Sequence, residues 1–211
     1  PGFASADEES PDVLILAPED EDGTELIELD VNLISHGPAT FYCYEPAGNV
    51  VTCDSCTGRC ASPAVILENR NLENDIIWRP TNIVNDVYVV LSIDPSKPVV
   101  AVLYGSFGAH SNGNIYDATY IKVEKSSGAD GPWEFLQQFD ISEYHQTKQI
   151  LKLALDSNIA ANYIRLTLTG GVHGVSPRAL GLYTNSENFY TNKYFLRTYA
   201  SGRYTVAYSS I

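Results

Sequence analysis

The sequence predicts one all-β domain of the sandwich type, and three observations lead to this. Short apolar segments with strand-like alternation are separated by turns rich in Gly, Pro, Asn and Asp, at the spacing typical of sandwiches. The 211 residues include 15 Gly, 11 Pro and 14 Tyr, which suits a turn-rich β protein. Helical periodicity is scarce. Because a β-sandwich of this length commonly forms one domain, we divide the chain into an acidic arm, residues 1–24, and a single sandwich domain, residues 25–211.

The N-terminal arm is rich in Asp and Glu around one apolar block, Val13, Leu14, Ile15 and Leu16, which lies between Pro11 and Pro18. An acidic segment of this kind cannot bury enough surface to fold alone, yet the block is too apolar to remain in water. In one interpretation the block is an edge strand of its own domain. In the other it is a donor strand that pairs with the sheet of a neighbouring copy, while the flanking acids keep the free arm soluble.

The sandwich domain begins with a predicted strand within residues 24–35, where apolar and polar residues alternate from Ile27 to Leu33. Further strands are predicted over residues 86–93, 99–104, 118–124, 150–155 and 163–168. The run from Val99 to Tyr104 is almost continuously apolar, which indicates a buried central strand. Trp78 and Trp133 are both expected in the sandwich core.

All four cysteines, Cys43, Cys53, Cys56 and Cys60, lie within a short stretch before Trp78. Cys53-x-x-Cys56 could supply half of a zinc site, which the other two would complete. An even number of cysteines, an acidic balance and a chain with no Met, even at position 1, favour a processed extracellular product with two disulfides. The sequence does not choose among the possible pairings.

The C-terminal segment is rich in tyrosine. Tyr204, Val206 and Tyr208 alternate, and residues 200–202 are predicted to turn a hairpin from Tyr194–Leu196 back along them. Exposed tyrosines suit protein interfaces, so this hairpin is the expected acceptor edge for a donor strand. Alternatively, it closes the sandwich.

A series of motifs resembles the discoidin or galactose-binding-like jelly roll and, within that superfamily, the laminin N-terminal domain. The matching features are Tyr42-Cys43, Cys53-Asp54-Ser55-Cys56, Ser62-Pro63-Ala64, residues 69–75, Trp78 and Asp130-Gly131-Pro132-Trp133. The chain has Ile77-Trp78 where laminin domains have two adjacent tryptophans, and it lacks their downstream cysteines. The resemblance implies a jelly-roll β-sandwich, here with an extended N-terminal arm.

The resemblance also implies a structural calcium ion in the loop before Trp78, at the positions of Asn69, Asn71 and Asp75. Calcium takes about six to eight oxygen ligands from carboxylates, amides and backbone carbonyls, and this loop is rich in such groups. The alternative is an ordinary polar loop.

Jelly-roll proteins of this superfamily commonly bind sugars with loops at one end of the sandwich. The matching loop here, residues 105–114, is rich in Gly and Asn and contains the candidate ligand-binding residues Phe107, His110, Asn112 and Asn114. An aromatic platform beside planar polar groups suits a sugar. The alternative is a solvent-exposed connection.

These features predict a secreted structural protein that assembles into an extracellular filament or network by donating its N-terminal strand to the next subunit. The alternative function is an extracellular carbohydrate-binding, lectin-like module. Catalysis is not expected, because the four histidines are scattered and no nucleophile elbow or P-loop occurs. The net charge of −13 disfavours nucleic acid, and no apolar run reaches membrane-spanning length. Expected partners are copies of this chain, or glycans.

Overall fold

The computed structural model describes residues 13–16, 26–38, 41–44, 50–53, 63–73, 77–79, 86–109, 113–145, 147–170, 173–185, 194–200 and 203–209. The strands are β1 (Val13–Leu16), β2 (Leu26–Glu28), β3 (Asn32–Gly37), β4 (Phe41–Tyr44), β5 (Val50–Cys53), β6 (Asp86–Ser92), β7 (Val99–Gly105), β8 (Ala118–Ser126), β9 (Glu134–Asp140), β10 (Ile150–Ile159), β11 (Tyr163–Gly170), β12 (Ala179–Asn185), β13 (Tyr194–Ala200) and β14 (Arg203–Ser209). Helix in these residues consists of α1 (Pro63–Glu68) and a 3-10 turn at Ser142–Tyr144. No helix among them is long and apolar enough to cross a membrane.

Two five-stranded sheets pack face to face, which confirms the predicted β-sandwich. Sheet I has the strand order β1-β10-β7-β12-β2, and sheet II has the order β3-β6-β11-β8-β9. Neighbouring strands are antiparallel except β1, which runs parallel to β10. The pairs β4–β5 and β13–β14 form separate two-stranded sheets.

The predicted central strand, β7, lies in the middle of sheet I and is buried on both faces. Val102 and Tyr104 point into the core between the sheets, which is continuous with side chains of sheet II. Ala101 and Leu103 point to the opposite face and pack in a second apolar cluster with Leu72, which follows α1. A strand that is covered on both faces has no solvent-exposed face, and this explains its continuous apolar sequence.

The segment predicted as one strand within residues 24–35 is two strands in different sheets. β2 pairs with β12 at the edge of sheet I, whereas β3 pairs with β6 at the edge of sheet II. The chain crosses between the sheets at residues 29–31, where Leu29 is buried in the core. The apolar alternation in this segment therefore does indicate β structure, but the residues belong to two edge strands in different sheets instead of one strand.

The apolar block of the arm pairs with its own domain. β1 lies beside β10 with Val13 opposite Ile150 and Leu16 opposite Leu153. This is the edge-strand interpretation, so strand donation to a neighbouring copy has no support in the structure.

The C-terminal hairpin forms as predicted, with Tyr204 opposite Tyr199. Its other two expected acceptor positions, Val206 and Tyr208, pair with Arg197 and Phe195 of β13, and the hairpin lies outside both five-stranded sheets.

The two ends of the sandwich carry different connections. The loop end, as we call it, holds residues 106–109 and 113–117 between β7 and β8, residues 147–149 before β10, and residues 173–178 before β12. The turn end holds residues 93–98, 127–133 and 160–162. The register fixes this arrangement, because Gly105 pairs with Ile150 and with Ala179 at the first end, while Val99 pairs with Ile159 at the other.

The cysteine region includes a short hairpin, in which β4 pairs with β5. Cys43 lies opposite Val51, and Cys53 lies opposite Phe41, so the two cysteines are diagonal neighbours. Cys56 and Cys60 lie outside the described residues, and the disulfides stay a prediction. Diagonal positions are about 7–8 Å apart. A disulfide usually joins Cα atoms about 4.4–6.8 Å apart, so the register disfavours a Cys43–Cys53 bond.

We predict that mass analysis without reductant finds no alkylatable thiol, and that peptide mapping joins Cys43 to Cys56 or Cys60. Reduction should then destabilise the domain, since loss of a native disulfide in a secreted domain commonly costs about 2–5 kcal/mol. Four free thiols with bound zinc in native mass spectrometry would instead support the zinc-site interpretation.

Candidate functional site

The loop after β7 is anchored at its first residue. The backbone N–H of Ser106 donates to the carbonyl of Gln149 at 2.9 Å, and the Ser106 hydroxyl accepts from the N–H of Gln149 at 2.9 Å. The same hydroxyl donates to the carbonyl of Thr147. Ser106 is buried, so these bonds tie the loop firmly to the segment that leads into β10.

The other end of this loop is fixed by Asp117, whose side chain is buried. Its carboxylate accepts the backbone N–H of Phe107 and lies 3.4 Å from the hydroxyl of Tyr104. That hydroxyl accepts the backbone N–H of Ala118, the first residue of β8, at 2.9 Å. Burial, followed by the charge of Asp117, raises the pKa of Tyr104 well above its usual value, so the hydroxyl stays protonated.

Aromatic and cationic side chains gather between these anchors. We call this group the loop-end cluster, and it consists of Arg79, Phe107, Asn114, Tyr116, His173 and Arg178. The rings of Phe107 and Tyr116 are 5.1 Å apart between centroids, and the ring of His173 is 6.0 Å from that of Tyr116. The guanidinium of Arg79 lies 5.2 Å from the Tyr116 ring, and that of Arg178 lies 5.1 Å from the Phe107 ring.

The cluster has a buried back and a partly exposed front. Tyr116 and Arg178 are buried, and Arg178 donates from Nε to the carbonyl of Phe107 at 3.1 Å. The front consists of the partly exposed side chains Arg79, Phe107, Asn114 and His173. The amide of Asn114 donates to the hydroxyl of Tyr116 at 3.2 Å. The front therefore combines an aromatic surface with guanidinium, amide and imidazole groups.

Of the predicted ligand-binding residues, Phe107 and Asn114 belong to this cluster, whereas His110 and Asn112 lie outside the described residues. Arg79, His173 and Arg178 were not predicted from the sequence. These residues come from segments far from the 105–114 loop along the chain. The pairing of β8 with β11 and of β7 with β12 places His173 and Arg178 at this end of the sandwich. The N–H of Trp78 donates to the carbonyl of Pro177 at 3.0 Å, which brings Arg79 to the same end.

Asn69 and Asn71, two residues expected to bind calcium, have other partners here. The Asn69 amide donates to the carbonyl of Arg178 at 2.7 Å, and its Oδ1 accepts the N–H of Asn71 at 3.2 Å. Asn71 Oδ1 accepts the N–H of Glu73 at 2.9 Å. Asp75 lies outside the described residues, and within the described part of the chain no group of three His, Cys, Asp or Glu could hold a metal. Calcium binding stays a prediction.

The turn end holds a groove of about 530 Å³ that Trp133 lines together with Lys125, Glu134 and Asn162. The prediction that both tryptophans lie in the core is right for Trp78, which is fully buried, and wrong for Trp133, which is partly exposed. A sequence shows that a tryptophan follows a turn, but it does not show which face of the edge strand the ring covers.

The ring of Trp133 packs against an arginine that forms an ion pair. The guanidinium of Arg165 lies 4.6 Å from its ring and donates from Nε to Glu124 at 2.7 Å. Burial raises the pKa of Glu124, but the hydrogen bond and charge of Arg165, with a contribution from Lys122, hold it below its usual value. Glu124 therefore remains ionised and keeps Arg165 in place.

Comparison with known proteins identifies the fold. No protein-family model matches this sequence, and no curated protein sequence matches it. A solved structure of the Clostridium perfringens ZmpB protein, which contains two family 32 carbohydrate-binding modules and an M60 catalytic domain, is 10% identical with a TM-score of 0.51. The match covers 74% of this chain and 14% of that chain.

Two single-module structures give similar results. The C-terminal domain of a Bacteroides fragilis chitobiase is 16% identical with a TM-score of 0.49, covering 76% of this chain and 99% of that one. The family 32 module of Clostridium perfringens NanJ, in complex with galactose, is 14% identical with a TM-score of 0.46, covering 72% and 93%. The likeness to the ZmpB structure agrees with the strand arrangement described above, and this chain thus has a jelly-roll β-sandwich fold. None of these structures is a laminin domain, so that narrower resemblance stays a prediction.

We predict that Asp117→Ala destabilises the domain, because it removes the carboxylate that accepts the partly buried N–H of Phe107 and the hydroxyl of the buried Tyr104. Such a loss costs about 1–3 kcal/mol. For a chain of this size each kcal/mol lowers the melting temperature by about 2–4 °C. Asp117→Asn retains an acceptor oxygen and should lose less. Equal melting temperatures for both variants and the wild type would show that Asp117 does not hold the loop.

Proposed function

We propose that this chain binds a carbohydrate through the loop-end cluster. The observation that carries the proposal is the grouping of the partly exposed Phe107 ring with the guanidinium of Arg79 and the amide of Asn114 at one end of a jelly roll. A sugar ring offers an apolar C–H face and a rim of hydroxyls. An aromatic ring packs on the first, and planar guanidinium and amide groups bond to the second. This was the alternative function in the sequence analysis.

The cluster is pre-organised. The backbone of Phe107 is held through its N–H by Asp117 and through its carbonyl by Arg178, and the buried ring of Tyr116 supports its side chain. A site that already has its bound geometry loses less conformational entropy when a ligand arrives. This matters for a small ligand, whose own binding energy is limited.

The charge of the front limits the ligand class. Arg79 and His173 lie on it, and Arg178 lies behind Phe107. A neutral or acidic sugar suits this front better than a sugar with a free ammonium group.

We propose binding without catalysis, in an extracellular protein as the cysteine content favours. Self-assembly is the weaker candidate, because β1 pairs with β10 of its own domain. The apolar block of the arm is therefore accounted for without strand donation to a neighbouring copy. A filament of the native protein in negative-stain microscopy would restore it. Monodisperse particles agree with a binding module.

We predict weak, selective binding in a glycan array and in calorimetry with neutral and acidic monosaccharides, including galactose, the sugar bound to the NanJ module. A dissociation constant on the order of 1 mM, or about −4 kcal/mol, is expected for such a small site. Phe107→Ala should weaken binding about tenfold, since an aromatic contact contributes roughly 1 kcal/mol or more. Arg79→Ala and Asn114→Ala should each weaken it about three- to tenfold, by loss of a hydrogen bond.

Two substitutions at the turn end serve as controls. Phe135, which is 58% exposed on β9, gives the same change of side chain as Phe107→Ala but lies away from the cluster, so Phe135→Ala should leave affinity unchanged. Trp133→Ala tests the groove. If only Trp133→Ala abolishes binding, the sugar site is at the turn end, and if no sugar binds the wild type, the proposal fails.

A further inference from the structure

The loop expected to bind calcium surrounds a cationic side chain of its own. Arg70 donates from Nη1 to the carbonyl of Asn69 at 2.5 Å, and from Nη2 to the carbonyls of Leu67 at 2.7 Å and Leu180 at 3.3 Å. Its Nε and Nη2 also donate to the two carboxylate oxygens of Glu28, with Nε at 3.1 Å from Oε2. We call these oxygens the Arg70 cage.

The fold brings the cage together from three elements. The carbonyl of Leu67 is one of the last in α1, where helix carbonyls have no partner within the helix. The carbonyl of Leu180 comes from β12, and the carboxylate of Glu28 comes from β2, which pairs with β12. The cage therefore ties the end of α1 to the edge of sheet I.

Gly181 makes room for the guanidinium. A Cβ atom at this position would lie 2.8 Å from Nη2 of Arg70 and 3.3 Å from Oε1 of Glu28. A side chain at this position would therefore push the end of the Arg70 side chain out of its present place. Gly181 has no side chain, and the end of the long Arg70 side chain lies in the space that this leaves.

The donor set of the cage is of the kind that calcium takes. Calcium binds backbone carbonyls together with a carboxylate that offers both oxygens. A guanidinium is also matched to such a set, because its planar N–H groups donate to several oxygens at once and its charge is permanent. Meanwhile the amide oxygens of Asn69 and Asn71 accept local backbone N–H groups. Within the described residues, these donors do not fit a calcium ion while Arg70 is present.

We propose that Arg70 is a built-in cation that takes the place of a structural calcium ion in this domain. The guanidinium neutralises Glu28 and satisfies the carbonyls of the cage, so the fold needs no divalent ion there. Removing Arg70 leaves those oxygens converging on an unfilled position, which converts the cage into a calcium site.

Thermal melting of the wild type and of Arg70→Ala, each in chelator and in millimolar calcium chloride, tests this. The wild type should melt at the same temperature in both. Arg70→Ala should melt several degrees lower in chelator and recover in calcium, because an ion that binds only the folded state stabilises it. Calorimetry should show calcium binding to the variant and none to the wild type, and magnesium should recover less, since it prefers fewer carbonyls and more water.

Arg165→Ala is the matched control, because Arg165 has a similarly exposed side chain and pairs with Glu124. It should lower the melting temperature without recovery in calcium. Adding Glu28→Gln to Arg70→Ala should abolish the recovery. Should Arg70→Ala not fold in chelator, refolding in calcium supports the proposal, and Arg70→Gln repeats the test. Chelator-sensitive melting of the wild type, or variants that neither bind nor respond to calcium, overturns it.

Discussion

A single buried hydroxyl joins the two sheets at the loop end, and the candidate site depends on it. Tyr104 lies on β7 of sheet I, yet its hydroxyl accepts the first N–H of β8 in sheet II. Leaving such groups unpaired in the core would cost more than the bond itself contributes, so the contact fixes where β8 begins. Asp117, beside it, then fixes Phe107. The position of the loop-end cluster follows from the packing of the core.

The chain has twice as many acidic as basic residues, yet several of its arginines are buried or partly buried. Arg70 binds carbonyls and Glu28, Arg165 lies between Glu124 and Trp133, and Arg178 lies between Phe107 and the loop backbone. In each case the N–H groups of the planar guanidinium donate hydrogen bonds. In two of the three cases an aromatic ring also packs against the face of the guanidinium plane. Lysine could not do both. These arginines therefore act as cross-links between secondary-structure elements.

The sequence was sufficient for the sandwich, for buried β7 and for the loop that carries Phe107, because each depends on local periodicity and turn residues. It could not reveal that residues 26–37 divide between two sheets, since alternation looks the same when the chain crosses over. β12 had no counterpart among the predicted strands. Arg79 and His173 could not be assigned to the site either, because only contacts between segments that are distant along the chain bring them to the end of the sandwich that carries Phe107.

The cage and the cluster are parts of one hydrogen-bonded path. Glu28 holds Arg70, which bonds to the carbonyl of Asn69, and the amide of Asn69 donates to the carbonyl of Arg178. Arg178 in turn holds Phe107. A calcium ion at the start of such a path would leave the geometry at its end dependent on the calcium concentration outside the protein. Under the proposal that Arg70 takes the place of that ion, a covalently attached cation removes the dependence, and the polypeptide alone positions the aromatic surface proposed to receive a sugar.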